Sequence, residues 1–190
     1  MEPNRFVWRA WLAASGARSS AQSLAFHASC ILNISTRTWR QKVSILDTAI
    51  GQELTPLVKP PVTQEQLRRY AEASGDYNPI HLSEEAAHNV GLDSVIAHGM
   101  LSMAFLGQFI QQQIADIPQA LLAHLKVRYV AMVRLGDTLT CHGVVKHNTS
   151  VDGQSSISIE CWAQNQKGEK VTIGDAAIVA PQTQSAEVGV

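Results

Sequence analysis

The chain has 190 residues, 45% of them apolar and 16% charged, a globular composition rather than a disordered one. Fifteen Lys plus Arg against sixteen Asp plus Glu leave a net charge of −1, which provides no overall basic field to gather nucleic acid or an anionic membrane. Three Cys (Cys30, Cys141, Cys161) are too few for a disulfide framework and lack C-x-x-C zinc spacing, and the longest apolar stretch, around Met100 to Ile110, falls short of the roughly 20 residues of a membrane span.

Residues 1–42 differ from the rest. They hold six basic residues (Arg5, Arg9, Arg18, Arg37, Arg40, Lys42) against Glu2 alone, six Ser and three of the four Trp. An Arg-rich, Ser-rich, acid-poor start fits a mitochondrial transit peptide, a start codon assigned too far upstream, or a basic tail that meets a partner. In each case the segment is expected to lie outside the fold. The thiol content points to a cytoplasmic protein, or a matrix protein if the leader is a transit peptide.

The folded part is expected over residues 43–180, with 181–190 as a tail. An opening strand ends at Pro60-Pro61. Thr63 as N-cap with Gln66 at the third helical position predicts a capping box, and Leu67, Tyr70 and Ala71 form the apolar face of the helix that follows. Ser74-Gly75-Asp76 stops it, and Asp76 to His81 is loop. Ser83 caps a short helix closed by Gly91. Gly99 to Ala115 reads as a third helix, apolar nearly all round in its first three turns and therefore wrapped by the rest of the protein, with Gln111-Gln112-Gln113 marking where it emerges. The period then changes to two: Leu125, Val127, Tyr129 and Ala131 alternate with Lys126, Arg128 and Val130. Asp152-Gly153 and Lys167-Gly168-Glu169 separate further alternating runs as hairpin turns. One buried helix followed by antiparallel strands predicts an α+β layer, a curved sheet around a helix, whose open edges favour dimerisation.

The segment Ser74-Gly75-Asp76-Tyr77-Asn78-Pro79-Ile80-His81 carries the candidate chemistry. Pro79 fixes its own φ and holds Asn78 extended, so a stiff loop presents a carboxylate and an imidazole together. Taken alone, Gly-Asp-x-Asn-Pro is ordinary turn chemistry. A second element changes the balance. Ala97-His98-Gly99-Met100 begins the buried helix, where unpaired N–H groups offer positive potential. An acid/base pair beside such a donor suits proton chemistry next to a carbonyl.

Tyr70, then Ser74-Gly75-Asp76, Asn78-Pro79-Ile80-His81 and Ala87 resemble the hydratase motif of the MaoC-like dehydratases, the (R)-specific enoyl-thioester hydratases. Ile96-Ala97-His98-Gly99-Met100-Leu101 resembles the family's second signature. Gly91-Leu92-Asp93 and the segment after His98 look most like beta subunits of bacterial (3R)-hydroxyacyl-ACP dehydratases. The resemblance covers about residues 51–180. It implies a single hot-dog fold and reversible hydration of trans-2-enoyl thioesters to (3R)-3-hydroxyacyl thioesters in fatty acid metabolism. It further implies Asp76 and His81 as catalytic residues, the Gly99 N–H as oxyanion donor, and Asn78, His98 and Met100 as supporting or substrate-binding residues. The implied partners are an acyl-CoA or acyl-ACP substrate and a second hot-dog subunit, identical or different, with no metal, cofactor, nucleic acid or membrane. A hot-dog thioesterase and a non-catalytic acyl-thioester-binding subunit are the alternatives. The family's CoA hydratases can carry a Ser that bonds the catalytic Asp; the matching position here is Gly107.

The bland readings are plain. His98 can cap or pack at the helix start. His88, His124, His142 and His147 show no ligand spacing. Cys141 and Cys161 suit a core, as do Met100, Met103, Phe105 and Phe109.

Overall fold

The structure is a computed structural model that describes residues 44–181. The leader expected over residues 1–42 lies outside the described residues, as does the expected tail apart from Pro181, the last residue of the final strand.

A 3-10 turn at Ile45–Asp47 leads into a two-residue strand, β1 (Leu57–Val58). Helix α1 (Gln64–Ser74) starts where the Thr63 hydroxyl accepts the Gln66 N–H and stops where Gly75 takes a left-handed φ of 75°. Only half of the expected capping box forms, because the Gln66 side-chain oxygen has no hydrogen-bond partner. Helix α2 (Glu84–Asn89) is capped by Ser83 as expected. Helix α3 (Gly99–Ile114) is followed by four strands, β2 (Leu121–Tyr129), β3 (Thr140–Val151), β4 (Gln154–Gln164) and β5 (Lys170–Pro181).

The strands form one antiparallel sheet in the order β1-β3-β4-β5-β2, with β1 and β2 at its edges. Asp152 and Gly153, both at positive φ, make the tight β3–β4 hairpin that their sequence predicts. Register shifts at Leu122/His124 and Val145/His147 add the bending that lets the sheet curl. This is the hot-dog arrangement, an α+β fold in which the sheet packs along α3. The alternation read in the sequence sets the faces: Ile157, Ile159, Cys161 and Ala163 of β4 point inward and are buried, against Ser158, Glu160 and Trp162. Burial raises the Cys141 and Cys161 thiols to about 12, so both remain neutral core groups.

Two readings of α3 need correction. The helix is not wrapped on all sides: Met100, Ala104 and Gln108, four apart on one stripe, are exposed, whereas Leu101, Phe105, Leu106, Phe109 and Ile110 are buried. Met100, 55% exposed, is therefore not core. Gln113 does not mark emergence either; it is buried, and its amide donates to the Thr55 carbonyl at 3.0 Å, satisfying a polar group inside the fold.

The close approach of α3 to the sheet depends on Gly143 of β3. A Cβ there would lie 2.9 Å from Phe109 Cε1 and 3.0 Å from Ile159 Cγ2. Gly143→Ala is expected to lower unfolding stability by about 1–3 kcal/mol through overpacking, read from the midpoint of urea unfolding at unchanged slope.

Candidate active site

The loop after α1 is shaped by short-range bonds. Asp76 Oδ1 accepts the Asn78 N–H at 3.2 Å, the Asp76 N–H donates to Ser74 Oγ at 3.3 Å, and Asn78 Oδ1 accepts the Ile80 N–H at 3.3 Å. The last of these caps a 3-10 turn, Pro79–His81, with Pro at its start, where a missing N–H costs nothing. The turn carries His81 from the exposed loop into the fold, where it is buried.

His81 is oriented by the main chain. Its Nδ1–H donates to the Ile96 carbonyl at 2.8 Å, which leaves Nε2 as the acceptor in the neutral ring. His98 is 2% exposed and its Nε2–H donates to the Asp76 carbonyl at 3.0 Å. The His98 ring lies 4.0 Å from the His81 ring, tilted by 34°, and 4.8 Å from the Tyr70 ring. Burial, with the neighbouring His81 adding to it, pushes the His98 pKa below the usual imidazole range, against the opposing pull of the Asp76 carbonyl. His98 packs beneath the loop but makes no side-chain bond to the helix start, so the capping role does not form.

Asp76, His81 and His98 each place one ligand-capable atom within 4.8 Å of the others. Two hydrogen bonds of about 2.8 Å reach across such a gap, so one water can bridge a carboxylate and an imidazole there. A metal ion suits the trio less well. Each ring commits one N–H to a carbonyl, which leaves a single lone-pair nitrogen on each, and the His98 one is buried.

Beside His81 lies a cavity of about 180 Å³ whose walls include Gly99, Ser102, Tyr129, Met132 and Val133. Gly99 is the first residue of α3, where the leading N–H groups have no intrahelical acceptor. Asp76 stands on the exposed loop outside that lining. Two wall residues, Tyr129 and Met132, escaped the sequence reading, whereas Ser102 was visible as a serine out of register with Gly107. Tyr129 covers Gly99, with ring atoms 3.3 Å from where a Gly99 Cβ would be, and its hydroxyl donates to Met100 Sδ at 3.1 Å. Ser102 donates to the Gly99 carbonyl at 2.7 Å and shares a 2.6 Å bond with Thr172, so it does not serve Asp76. Met132, in the segment after β2, carried no signal in the sequence. Gly107 lies two turns further along α3, with the Leu125 side chain 3.9 Å from where its Cβ would be.

Two of the other histidines have partners away from the site. His88 Nε2 contacts the Asp93 carbonyl at 3.0 Å, and His142 stacks on Trp162 at 5.4 Å.

With fold and site in view, comparison with known proteins gives the class. The MaoC like domain matches residues 46–162, and the chain belongs to that family of dehydratases. A UPF0336 protein of Streptomyces avermitilis is 29% identical over 137 residues, 69% of this chain and 91% of that protein. A fatty acid synthase beta subunit of Cochliobolus carbonum is 32% identical over 114 residues, but those are only 5% of its length. An (R)-specific enoyl-CoA hydratase of Rhodospirillum rubrum is 27% identical, over 63% of this chain and 81% of its own length. Among solved structures, an R-hydratase of Pseudomonas aeruginosa superposes with a TM-score of 0.56 at 28% identity, covering 75% of this chain and 91% of that one. The HadBC (3R)-hydroxyacyl-ACP dehydratase complex of Mycobacterium tuberculosis gives 0.59 at 19% identity, covering 70% and 98%. No helix among the described residues is long and apolar enough to cross a membrane.

The depressed His98 pKa has a signed effect on stability. Above the unfolded value of about 6.5 the ring is neutral in both states; below it the unfolded chain takes up a proton that the folded site resists, so stability falls as pH drops through 6. His98→Gln is expected to flatten this acid-side loss, measured as the difference in urea unfolding free energy between pH 7.5 and pH 5.5.

Proposed function

We propose that the chain catalyses the reversible addition of water to trans-2-enoyl thioesters, giving (3R)-3-hydroxyacyl thioesters carried on CoA or an acyl carrier protein. The observation that carries this reading is the placement of Asp76 and His81 across a gap that one water can span, with His81 and Gly99 on the wall of one cavity. Family membership and the names of the hydratase relatives from R. rubrum and P. aeruginosa support it.

In the forward direction the water oxygen bonds C3 while His81 Nε2 takes one of its protons. Asp76 accepts a hydrogen bond from the water's other O–H, which stays on C3 as the hydroxyl. The proton taken by His81 passes across the gap to Asp76, which delivers it to C2 as the enolate collapses, so both groups end in their starting states. Both additions come from one face of the double bond, so the addition is syn; the (R) configuration rests on the names of the hydratase relatives. The thioester oxygen, negative in the enolate, lies against the Gly99 N–H. The fixed Nδ1–H bond to Ile96 keeps His81 in the tautomer whose Nε2 lone pair can accept.

The enzyme is proposed to work paired with a second hot-dog chain. Met100 on the exposed stripe of α3 accepts from Tyr129, 44% exposed, which shares the cavity wall with Met132, 50% exposed, so exposed apolar groups border the cavity. The M. tuberculosis HadBC and ChsH1-ChsH2 structures are themselves complexes.

Asp76→Asn and His81→Ala are each expected to lower kcat for hydration of crotonyl-CoA or crotonyl-ACP by about 10²–10⁴, followed by loss of the enoyl-thioester absorbance, with circular dichroism unchanged. Free thiol release without hydration would point to a thioesterase instead. Sedimentation should give twice the chain mass for the protein alone or a one-to-one complex with another hot-dog chain, and Met132→Glu should shift either toward the monomer.

A further inference from the structure

The local bonds of Asp76 reach no further than two residues in either direction, to Ser74 and Asn78. They shape the loop but do not tie it to the cavity wall. The tie is His98, which spans 22 residues of sequence to hold the Asp76 carbonyl at 3.0 Å from a buried position. The partner loop end is held by the same segment, since the Ile96 carbonyl grips His81 Nδ1 across 15 residues. Three consecutive residues, Ile96 to His98, thus hold both ends of the loop, one through a carbonyl and one through an imidazole. The His98 ring also backs the His81 ring at 4.0 Å.

We propose that His98 is a positioning residue of this site: by donating Nε2–H to the Asp76 main chain while bracing the His81 ring, it sets the separation of the acid/base pair. This rests on the assignment of Asp76 and His81 as that pair. The state of the other ring nitrogen argues for positioning rather than proton transfer. With Nε2 as donor the neutral ring has no proton on Nδ1, and that atom is buried without a hydrogen-bond partner. No described residue offers it a proton or takes one from it.

The side-chain amide of Gln reaches the place of Nε2 and can donate there, whereas the shorter Asn reaches only that of Nδ1. The test compares His98→Ala, His98→Gln and His98→Asn with Asp76→Asn and His81→Ala, using crotonyl-CoA and crotonyl-ACP, with kcat and KM measured separately and folding followed by thermal melting. His98→Ala and His98→Asn are expected to lose about tenfold to a hundredfold in kcat, the scale of an ångström-size misplacement, with KM within about twofold; His98→Gln is expected to recover most of that loss. If His98→Gln is as impaired as His98→Asn, or if His98→Ala keeps the wild-type kcat, the proposal is wrong while the pair assignment stands. Should His98→Ala fail to fold, the Gln and Asn variants alone decide. If Asp76→Asn or His81→Ala retains full activity, the assignment of the pair fails first and takes this proposal with it.

Discussion

Two main-chain carbonyls organise this site. The Ile96 carbonyl accepts from His81 and the Asp76 carbonyl accepts from His98, and each bond removes one N–H from a buried imidazole that would otherwise be costly to desolvate. Because a carbonyl can only accept, each bond also fixes which ring nitrogen keeps its lone pair. The chemistry of two titratable side chains is thereby set by backbone geometry, which is set in turn by the helix ends that flank it. Gly75 ends α1 so that Asp76 turns back, and α3 begins at Gly99 so that His98 faces inward.

The sheet provides the rigidity that this arrangement needs. The segment before α3 is joined to the turn after β2 by the Ala97 N–H to Val133 carbonyl bond at 2.8 Å, which places cavity walls from two distant parts of the chain together. Tyr129 at the end of β2 then closes over Gly99. A site on rigid elements with a short stiff loop loses little entropy when substrate is bound, so more of the binding energy remains for the reaction.

Much of the fold was legible because its signals are local. Thr63, Ser83 and Gly75 mark helix ends through single backbone geometries, and the alternation of Ile157, Ile159, Cys161 and Ala163 states which face is inside. The loop of Asp76 and His81 was legible for the same reason. What failed was anything decided by distant packing. Hydropathy shows that α3 is apolar, yet not which stripe the sheet leaves uncovered, so Met100 was misplaced. The half-formed capping box at Gln66 and the inward turn of Gln113 toward Thr55 are likewise settled by tertiary neighbours. Tyr129 looked like one more residue in an alternating strand, and only the curl of the sheet brings it 30 residues back to Gly99.

The two neutral thiols in the middle of the sheet offer a built-in clock. Cys141 and Cys161 sit at zero exposure on the adjacent strands β3 and β4, and a thiol raised to about 12 contributes almost no thiolate at neutral pH. An alkylating reagent reaches them only when those strands part and the sulfur regains water. The rate at which these two positions are labelled therefore follows the opening of the sheet itself.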